Sequence, residues 1–298
     1  VPTTPVVITP DTAFGIPWRG AMVYINDREG KITKINLTDS TANGAALFNQ
    51  KTLFRLNANT TNRRYSFFGM DAGIGNTTKD FWLFGGTGDF NALGDKTIGM
   101  DNILYGIRDR EYPFFVPSQV PLQSSDIFVS AAHADADAAK SIDDATHCSD
   151  VSLDDTGDAC PDAEDAWVYH LDPITLPTTN LGTTAGTQDQ ETVPNSGFRK
   201  ASAPPTLFKG QVYFPVYEPP AGQNVCNIGN AFICVHDDEC GTDNSHKLVK
   251  GREASVQTCT FVRAGVLSEL VIFGDKLFAN VAGPSENAET LYSILSVP

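Results

Sequence analysis

Apolar and polar residues interleave over short stretches of this chain, and turn-forming residues separate the stretches. Residues 31–37, Lys-Ile-Thr-Lys-Ile-Asn-Leu, show this pattern after an Asp-Arg-Glu-Gly turn at 27–30. The pattern predicts a β-hairpin of residues 21–26 and 31–37 with one buried face. It also predicts strands at 52–56, 65–69, 81–84, 103–107, 166–171, 212–217, 231–235, 269–273, 276–281 and 290–297.

Helical periodicity is weak by comparison, since no stretch of 12 or more residues combines a 3.6-residue period with helix caps. The chain is therefore predicted to form one all-β domain, residues 1–298. Residues 20–37 and 273–295 look like degenerate copies of one strand–turn–strand unit, which favours a modified or incomplete β-propeller over a sandwich or barrel. Two long loop insertions are predicted: an acidic, disulfide-closed insertion at 131–165 and a flexible excursion at 173–204.

The formal net charge of −15 bears on the partners of this protein. Such a surface repels a phosphate backbone, so we expect no nucleic-acid partner. Every apolar run is much shorter than the roughly 20 residues that span a bilayer, so no membrane span is predicted.

Six cysteines are present, at Cys148, Cys160, Cys226, Cys234, Cys240 and Cys259. Their even number and clustering predict three disulfides, one of them Cys148–Cys160, with the other four cysteines paired among themselves. No C-x-x-C or C-x-x-C-H occurs, which argues against a zinc ribbon and against c-type haem. Cys226, Cys234, His236 and Cys240 are zinc-ligand types, but their spacing matches no familiar zinc module, so disulfides and an exported protein are favoured.

Eleven of the 35 residues at 131–165 are acidic and only Lys140 is basic. Calcium takes six to eight oxygen ligands, mostly from carboxylates and carbonyls in a short loop. The sequence thus predicts a calcium site whose ligands are Asp150, Asp154, Asp155, Asp158 and Asp162. The order of an EF-hand loop is absent, and a solvated acidic loop is the open alternative.

Motifs of catalysis are missing from the sequence. There is no G-x-S-x-G elbow and no H-E-x-x-H among the five histidines. A Gly-Gly-Thr-Gly run at 85–88 follows a predicted strand, but no G-K-[ST] or helix follows it. The run therefore indicates a tight turn with closely approaching backbones, without nucleotide binding, and we expect a non-enzymatic protein.

Five segments, in the same order, resemble motifs of the C-terminal propeller-like domain of the PilC/PilY family of type IV pilus tip proteins. They are residues 23–37 (VYINDREGKITKINL), 81–90 (FWLFGGTGDF), 102–109 (NILYGIRD), 211–229 (with Cys226-Asn-Ile-Gly at its end) and 265–268 (GVLS). The resemblance implies an exported, extracellular or cell-surface protein at the pilus tip. It implies minor pilins or the tip complex as partners, a surface or host ligand, and roles in pilus assembly, adhesion and twitching motility.

The resemblance also implies calcium regulation, through an acidic loop just before residue 23. Here the matching residues 11–20 offer only one carboxylate, Asp11, while Arg19 adds positive charge. That loop is predicted not to bind calcium, which leaves the acidic insertion as the candidate.

Two alternatives belong to other classes. A quinoprotein-type propeller dehydrogenase needs a quinone stacked on Trp beside calcium, and only Trp18, Trp82 and Trp167 are available, with no adjacent cysteine pair. The other alternative is a secreted carbohydrate-binding propeller.

Calcium titration by calorimetry tests the acidic insertion. We expect saturable heat for the wild type and none after Asp154, Asp155 and Asp158 are all changed to Asn, because the carboxylates supply most of the ligand charge. A flat wild-type titration would reject the calcium site.

Overall fold

The computed structural model describes residues 3–9, 20–38, 47–75, 79–109, 111–115, 166–171, 198–220, 228–239, 241, 244–248, 259–283 and 291–296. Across these residues the protein is all-β, as predicted, with two short 3-10 helices at Phe90–Ala92 and Ser245–Leu248. No helix in this part of the chain is long and apolar enough to cross a bilayer. The acidic insertion 131–165 and residues 11–19 lie outside the described residues, as does the excursion up to residue 197.

The first two sheets are antiparallel meanders of consecutive strands. Sheet A contains β1 (Val6–Ile8), β2 (Met22–Asn26), β3 (Lys31–Asn36) and β4 (Gln50–Arg55), in that spatial order. Sheet B contains β5 (Asp71–Ile74), β6 (Phe81–Gly86), β7 (Ile103–Asp109) and β8 (Ala166–His170), also in order. The predicted hairpin is β2–β3, in which Asn26 pairs with Ile32.

The other two sheets follow the same plan, but their first strands are broken in two. Sheet C contains β9 (Lys200–Ala201), β10 (Thr206–Phe208), β11 (Gln211–Glu218), β12 (Asn230–Asp237) and β13 (Thr260–Ala264). Sheet D contains β14 (Val266–Leu267), β15 (Val271–Phe273), β16 (Lys276–Ala282) and β17 (Leu291–Ser296). β9 and β10 both pair with β11, and β14 and β15 both pair with β16.

The four sheets pack face to face in chain order. One core cluster joins sheets A and B, a second joins B and C, and a third joins C and D. With its broken first strand counted once, sheet D has three strands, whereas each of the other sheets has four. Antiparallel meanders that pack consecutively are typical of the blades of a propeller, so the described residues form a propeller-like fold.

Sheet B shows how the sequence imposes this order. All residues of β6 and β7 are buried, and successive side chains of a strand point to opposite faces. Phe81 and Leu83 therefore pack against sheet A, while Trp82 and Phe84 pack against sheet C. A sheet that is apolar on both faces needs a neighbour on each side.

The indole of Trp167 occupies a slot between sheets B and C. A Cβ added at Gly106 or at Gly241 would overlap the ring, and Gly241 has the left-handed φ of +66°. The indole Nε1 donates to the carbonyl of Asp238 at 3.1 Å, and the ring packs edge-on against Phe214 at 6.1 Å. Two glycines thus make the space for the largest side chain of this core.

A disulfide and two side-chain hydrogen bonds stabilise sheets C and D. A disulfide joins Cys234 of β12 to Cys259, across 25 residues, as expected for a bridge within the four C-terminal cysteines. Ser202 Oγ donates to the carbonyl of Leu267 at 3.2 Å, and Thr206 Oγ1 donates to that of Leu270 at 3.1 Å. Cys148, Cys160, Cys226 and Cys240 lie outside the described residues.

Two sequence-based assignments need correction or refinement. Residues 65–69 are not a strand. The amide of Ser66 donates to the carbonyl of Arg28, and the amide of Gly88 donates to the carbonyl of Tyr65. The segment therefore makes isolated hydrogen bonds and pairs with no strand among the described residues. In the 85–88 run, Gly85 and Gly86 continue β6 instead of turning. A close approach of backbones is found at Gly88, where an added Cβ would lie 3.1 Å from the backbone N of Ala201, whereas at Gly85 it would overlap the side-chain ring of Tyr105.

Changing Gly106 to Ala tests the slot. The new methyl overlaps the Trp167 ring, so we expect the free energy of unfolding to fall by about 2–3 kcal/mol. Gly94→Ala is the matched control, because nothing lies within 4 Å of its added Cβ and the change should stay within about 0.5 kcal/mol. Urea unfolding followed by Trp fluorescence measures both, and equal effects would contradict the slot.

Candidate docking surface

The outer face of sheet D exposes apolar side chains in a continuous patch. On this face β15 exposes Val271 by 62% and Phe273 by 78%, whereas Ile272 pairs with Leu277 on the other face. The hairpin that follows turns through Gly274, whose φ of +61° favours glycine, and returns as β16. Phe278 on β16 meets Phe273, with ring centroids 6.4 Å apart.

Strand alternation explains why this patch faces outward. Leu277, Ala279 and Val281 are the buried positions of β16, and they pack against sheet C. Residues between them, such as Phe278, must point to the other face. Among the described residues, sheets B and C have both faces covered, whereas this face of sheet D remains bare.

The patch forms an open groove of about 400 Å³. Val271, Phe273 and Phe278 supply its apolar wall, and Glu269 and Asn280 lie at its edge. Ser268 fixes that edge, because its Oγ accepts from the amide of Asn280 at 3.0 Å and its own amide donates to the Asn280 carbonyl at 2.8 Å. Exposed apolar grooves with polar edges are typical of protein interaction sites.

The charge around the groove is mainly negative. Glu269 and Asp275 are exposed, and Lys276 is the one basic neighbour in the hairpin. Together with the formal net charge of −15, this arrangement repels acidic ligands and favours an apolar segment that carries basic residues.

The site residues predicted from the sequence lie elsewhere in the chain. Asp150, Asp154, Asp155, Asp158 and Asp162 fall outside the described residues, so calcium binding stays a prediction. In the part of the chain that the structure does describe, no group of three or more His, Cys, Asp or Glu side chains could hold a metal ion.

The tryptophans bear on the quinoprotein alternative. Trp82 and Trp167 are about 1% and 0% exposed within the core between sheets B and C, so neither offers a ring face to a quinone. Trp18 lies outside the described residues. No observation here favours that alternative.

One histidine forms a charge contact at the end of sheet B. His170 Nδ1 lies 2.6 Å from Asp101 Oδ1, and Arg64 binds the same carboxylate. Burial alone would raise the pKa of Asp101, but the hydrogen bonds from His170 and Arg64 outweigh it and hold that pKa below its ordinary value. The cluster ties β8 to the loop before β7, and no residue spacing in the sequence predicts it.

An acidic turn follows β12 beside the Trp167 slot. Asp238 is only 4% exposed, and its amide donates to the carbonyl of Gly210 at 3.3 Å. Burial, and then the charges of Asp237 and Glu239, raise the pKa of Asp238 to about 7. The carboxyl therefore stays protonated to a higher pH than that of an ordinary Asp.

Comparison with known proteins identifies a similar fold. No protein-family model matches the sequence, and neither does any curated protein sequence. The structure is similar to the crystal structure of the Pseudomonas aeruginosa PilY1 C-terminal domain, with a TM-score of 0.52 over 95% of this chain at 12% identity. The fold is that of the PilY1 C-terminal domain.

The PilY1 likeness confirms the sequence-based resemblance at the level of the fold. At 12% identity it shows the fold alone, and this chain spans 59% of the PilY1 chain. Segments 23–37, 81–90 and 102–109, which carry the resemblance in the sequence, include β2, β3, β6 and β7 of sheets A and B. The other two segments of the resemblance, 211–229 and 265–268, include β11 of sheet C and β14 of sheet D, so the motifs occur in all four sheets.

Changing Asp238 to Asn tests the acidic turn. The folded-state pKa is raised from 3.8 to about 7, so the folded protein binds more protons than the unfolded chain between those values, and stability falls as pH rises through that window. We expect Asp238→Asn to raise the free energy of unfolding by roughly 1–2 kcal/mol above about pH 7.5 and to change it little below about pH 4.

Asp275→Asn is the control for this prediction, because it removes the same charge from an exposed hairpin position. Chemical denaturation at several pH values measures both variants. Parallel stability curves for the two would contradict a raised pKa for Asp238.

Proposed function

We propose that this protein is a non-enzymatic docking module of the type IV pilus machinery, which binds a minor pilin or another tip-complex component through the groove of sheet D. The exposed apolar groove with its acidic edge, on a scaffold with the fold of the PilY1 C-terminal domain, is the observation that carries the proposal. Propeller-like scaffolds hold such surfaces rigidly.

The chemistry of the groove defines the segment it binds. Val271, Phe273 and Phe278 accept large apolar side chains, and an aromatic anchor of this kind is enriched at protein interfaces. Glu269 and Asp275 favour Lys or Arg beside that apolar anchor. The partner is therefore a pilin-like protein with an apolar, basic segment, and a second copy of this acidic chain is disfavoured by repulsion.

The wider role follows from the same proposal. The Cys234–Cys259 disulfide supports a location in an oxidising compartment, outside the cytoplasm or at the cell surface. Docked at a pilus tip, the protein would support pilus assembly, adhesion to a surface or host ligand, and twitching motility. Calcium bound by the acidic insertion would regulate that role.

A double variant, Val271→Asp with Phe273→Asp, tests the groove. Two charges in the apolar wall cannot be desolvated by an apolar partner, so we expect co-purification of minor pilins from piliated source cells to drop at least about tenfold. Ile98→Asp is the control, because Ile98 is 90% exposed and lies outside the groove.

Quantitative mass spectrometry of the co-purified pilins is the readout. Equal pilin recovery with the double variant and with Ile98→Asp would reject the groove as the docking site. Recovery of no pilin by the wild type, together with selective binding on a glycan array, would replace the pilus proposal with the carbohydrate-binding alternative.

A further inference from the structure

Two lysines and two carboxylates form a buried cluster between sheets A and B. Lys34 on β3 and Lys51 on β4 are directly opposite each other in the strand register. Like charges in that position repel, so the pair needs carboxylates nearby. Asp109 at the end of β7 and Glu111 just after it supply them, and both are 1% exposed.

Lys34 is held in place as an ammonium ion. Its Nζ lies 2.8 Å from Asp109 Oδ2 and 3.4 Å from Glu111 Oε2, and it donates to the carbonyl of Phe114 at 2.7 Å. These three acceptors match the three protons of the ammonium group. Tyr24 also donates to Asp109 Oδ2, at 2.6 Å, which keeps Asp109 in its charged form.

Lys51 differs from Lys34, because among the described residues it contacts a single carboxylate. Its Nζ binds Glu111 Oε2, and the group lies 5.2 Å from the centroid of the Phe115 ring. Its side chain is 10% exposed. The other oxygen of that carboxyl, Glu111 Oε1, is buried and has no hydrogen-bond partner among the described residues.

From this geometry we propose that Lys51 and Glu111 condense into an intramolecular amide that covalently joins sheet A to sheet B. A proton passes from Lys51 Nζ to the Glu111 carboxylate, and the neutral amine attacks Cδ. The Cδ–Oε1 bond then breaks, and that oxygen leaves as water with two protons taken from the amine and the carboxyl. The reaction needs no oxidant or other reactant.

The surroundings favour each part of this reaction. Burial lowers the pKa of Lys51, and the charge of Lys34 lowers it further, while burial raises the pKa of Glu111. Both shifts favour the neutral amine and the neutral carboxyl that must react. Lys34, beside Oε2, stabilises the negative charge that develops on that oxygen when Cδ is attacked.

The product also removes an unfavourable feature of the cluster. Two buried charges become one neutral amide, which avoids their desolvation penalty. The oxygen without a partner departs, and the remaining carbonyl oxygen stays beside Lys34. Residues 51 and 111 are 60 positions apart, so the bond would tie sheets A and B together even in the unfolded chain.

Intact-mass measurement of the reduced, denatured protein tests this proposal. We expect the wild type to be lighter than its sequence by the mass of one water, and a trypsin digest to contain a branched peptide that links Lys51 to Glu111. Lys51→Arg keeps the charge but removes the amine nucleophile, so its mass should match its sequence in full.

The wild-type mass decides the question even where the variant does not fold. A wild-type mass equal to that of the sequence would overturn the proposal. So would a missing water that fragmentation places at Lys34 and Asp109 or at any other pair, or a deficit that persists in Lys51→Arg.

Discussion

The structure depends on strands whose side chains are apolar on both faces. β6 and β7 in sheet B and β11 and β12 in sheet C bury nearly every residue, so each sheet needs a neighbour on either side. Hydrophobic burial of this kind is the main driving force of folding, and it sets the order of the sheets as A, B, C and D. Sheet D lies at one end of that row, and its outer face is where the apolar groove appears.

Much of this arrangement can be predicted from the sequence. Short apolar runs bounded by Gly or Asp turns locate β2, β3, β6, β7, β11, β12 and β16 closely. β9, β10 and β14 cannot be predicted in this way, since each has only two or three residues. They are defined by their backbone hydrogen bonds to the longer strands β11 and β16. Residues 65–69 show the opposite failure, with a strand-like pattern that meets no partner strand.

The candidate site is harder to predict than the fold. Val271 and Phe273 look like core residues, and only the position of sheet D at the end of the row exposes them. The two lysines of the buried cluster lie on β3 and β4, and its two carboxylates lie at and just after the end of β7. Their contact depends on the packing of sheet A against sheet B, which no local sequence pattern encodes. The likeness to the PilY1 domain concerns the fold. The chemistry of the apolar groove and of the lysine–carboxylate cluster is inferred from the residues of this chain.

Two hydroxyl groups link the broken first strands of sheets C and D at separate points. Ser202 donates to the carbonyl of Leu267, and Thr206 donates to that of Leu270. Two hydrogen bonds at separate points therefore connect these sheets. Both hydrogen bonds would share a tensile load applied at Phe273. Together they would also oppose rotation of sheet D against sheet C. The two hydrogen bonds would thus keep the apolar groove of sheet D in one orientation relative to sheet C.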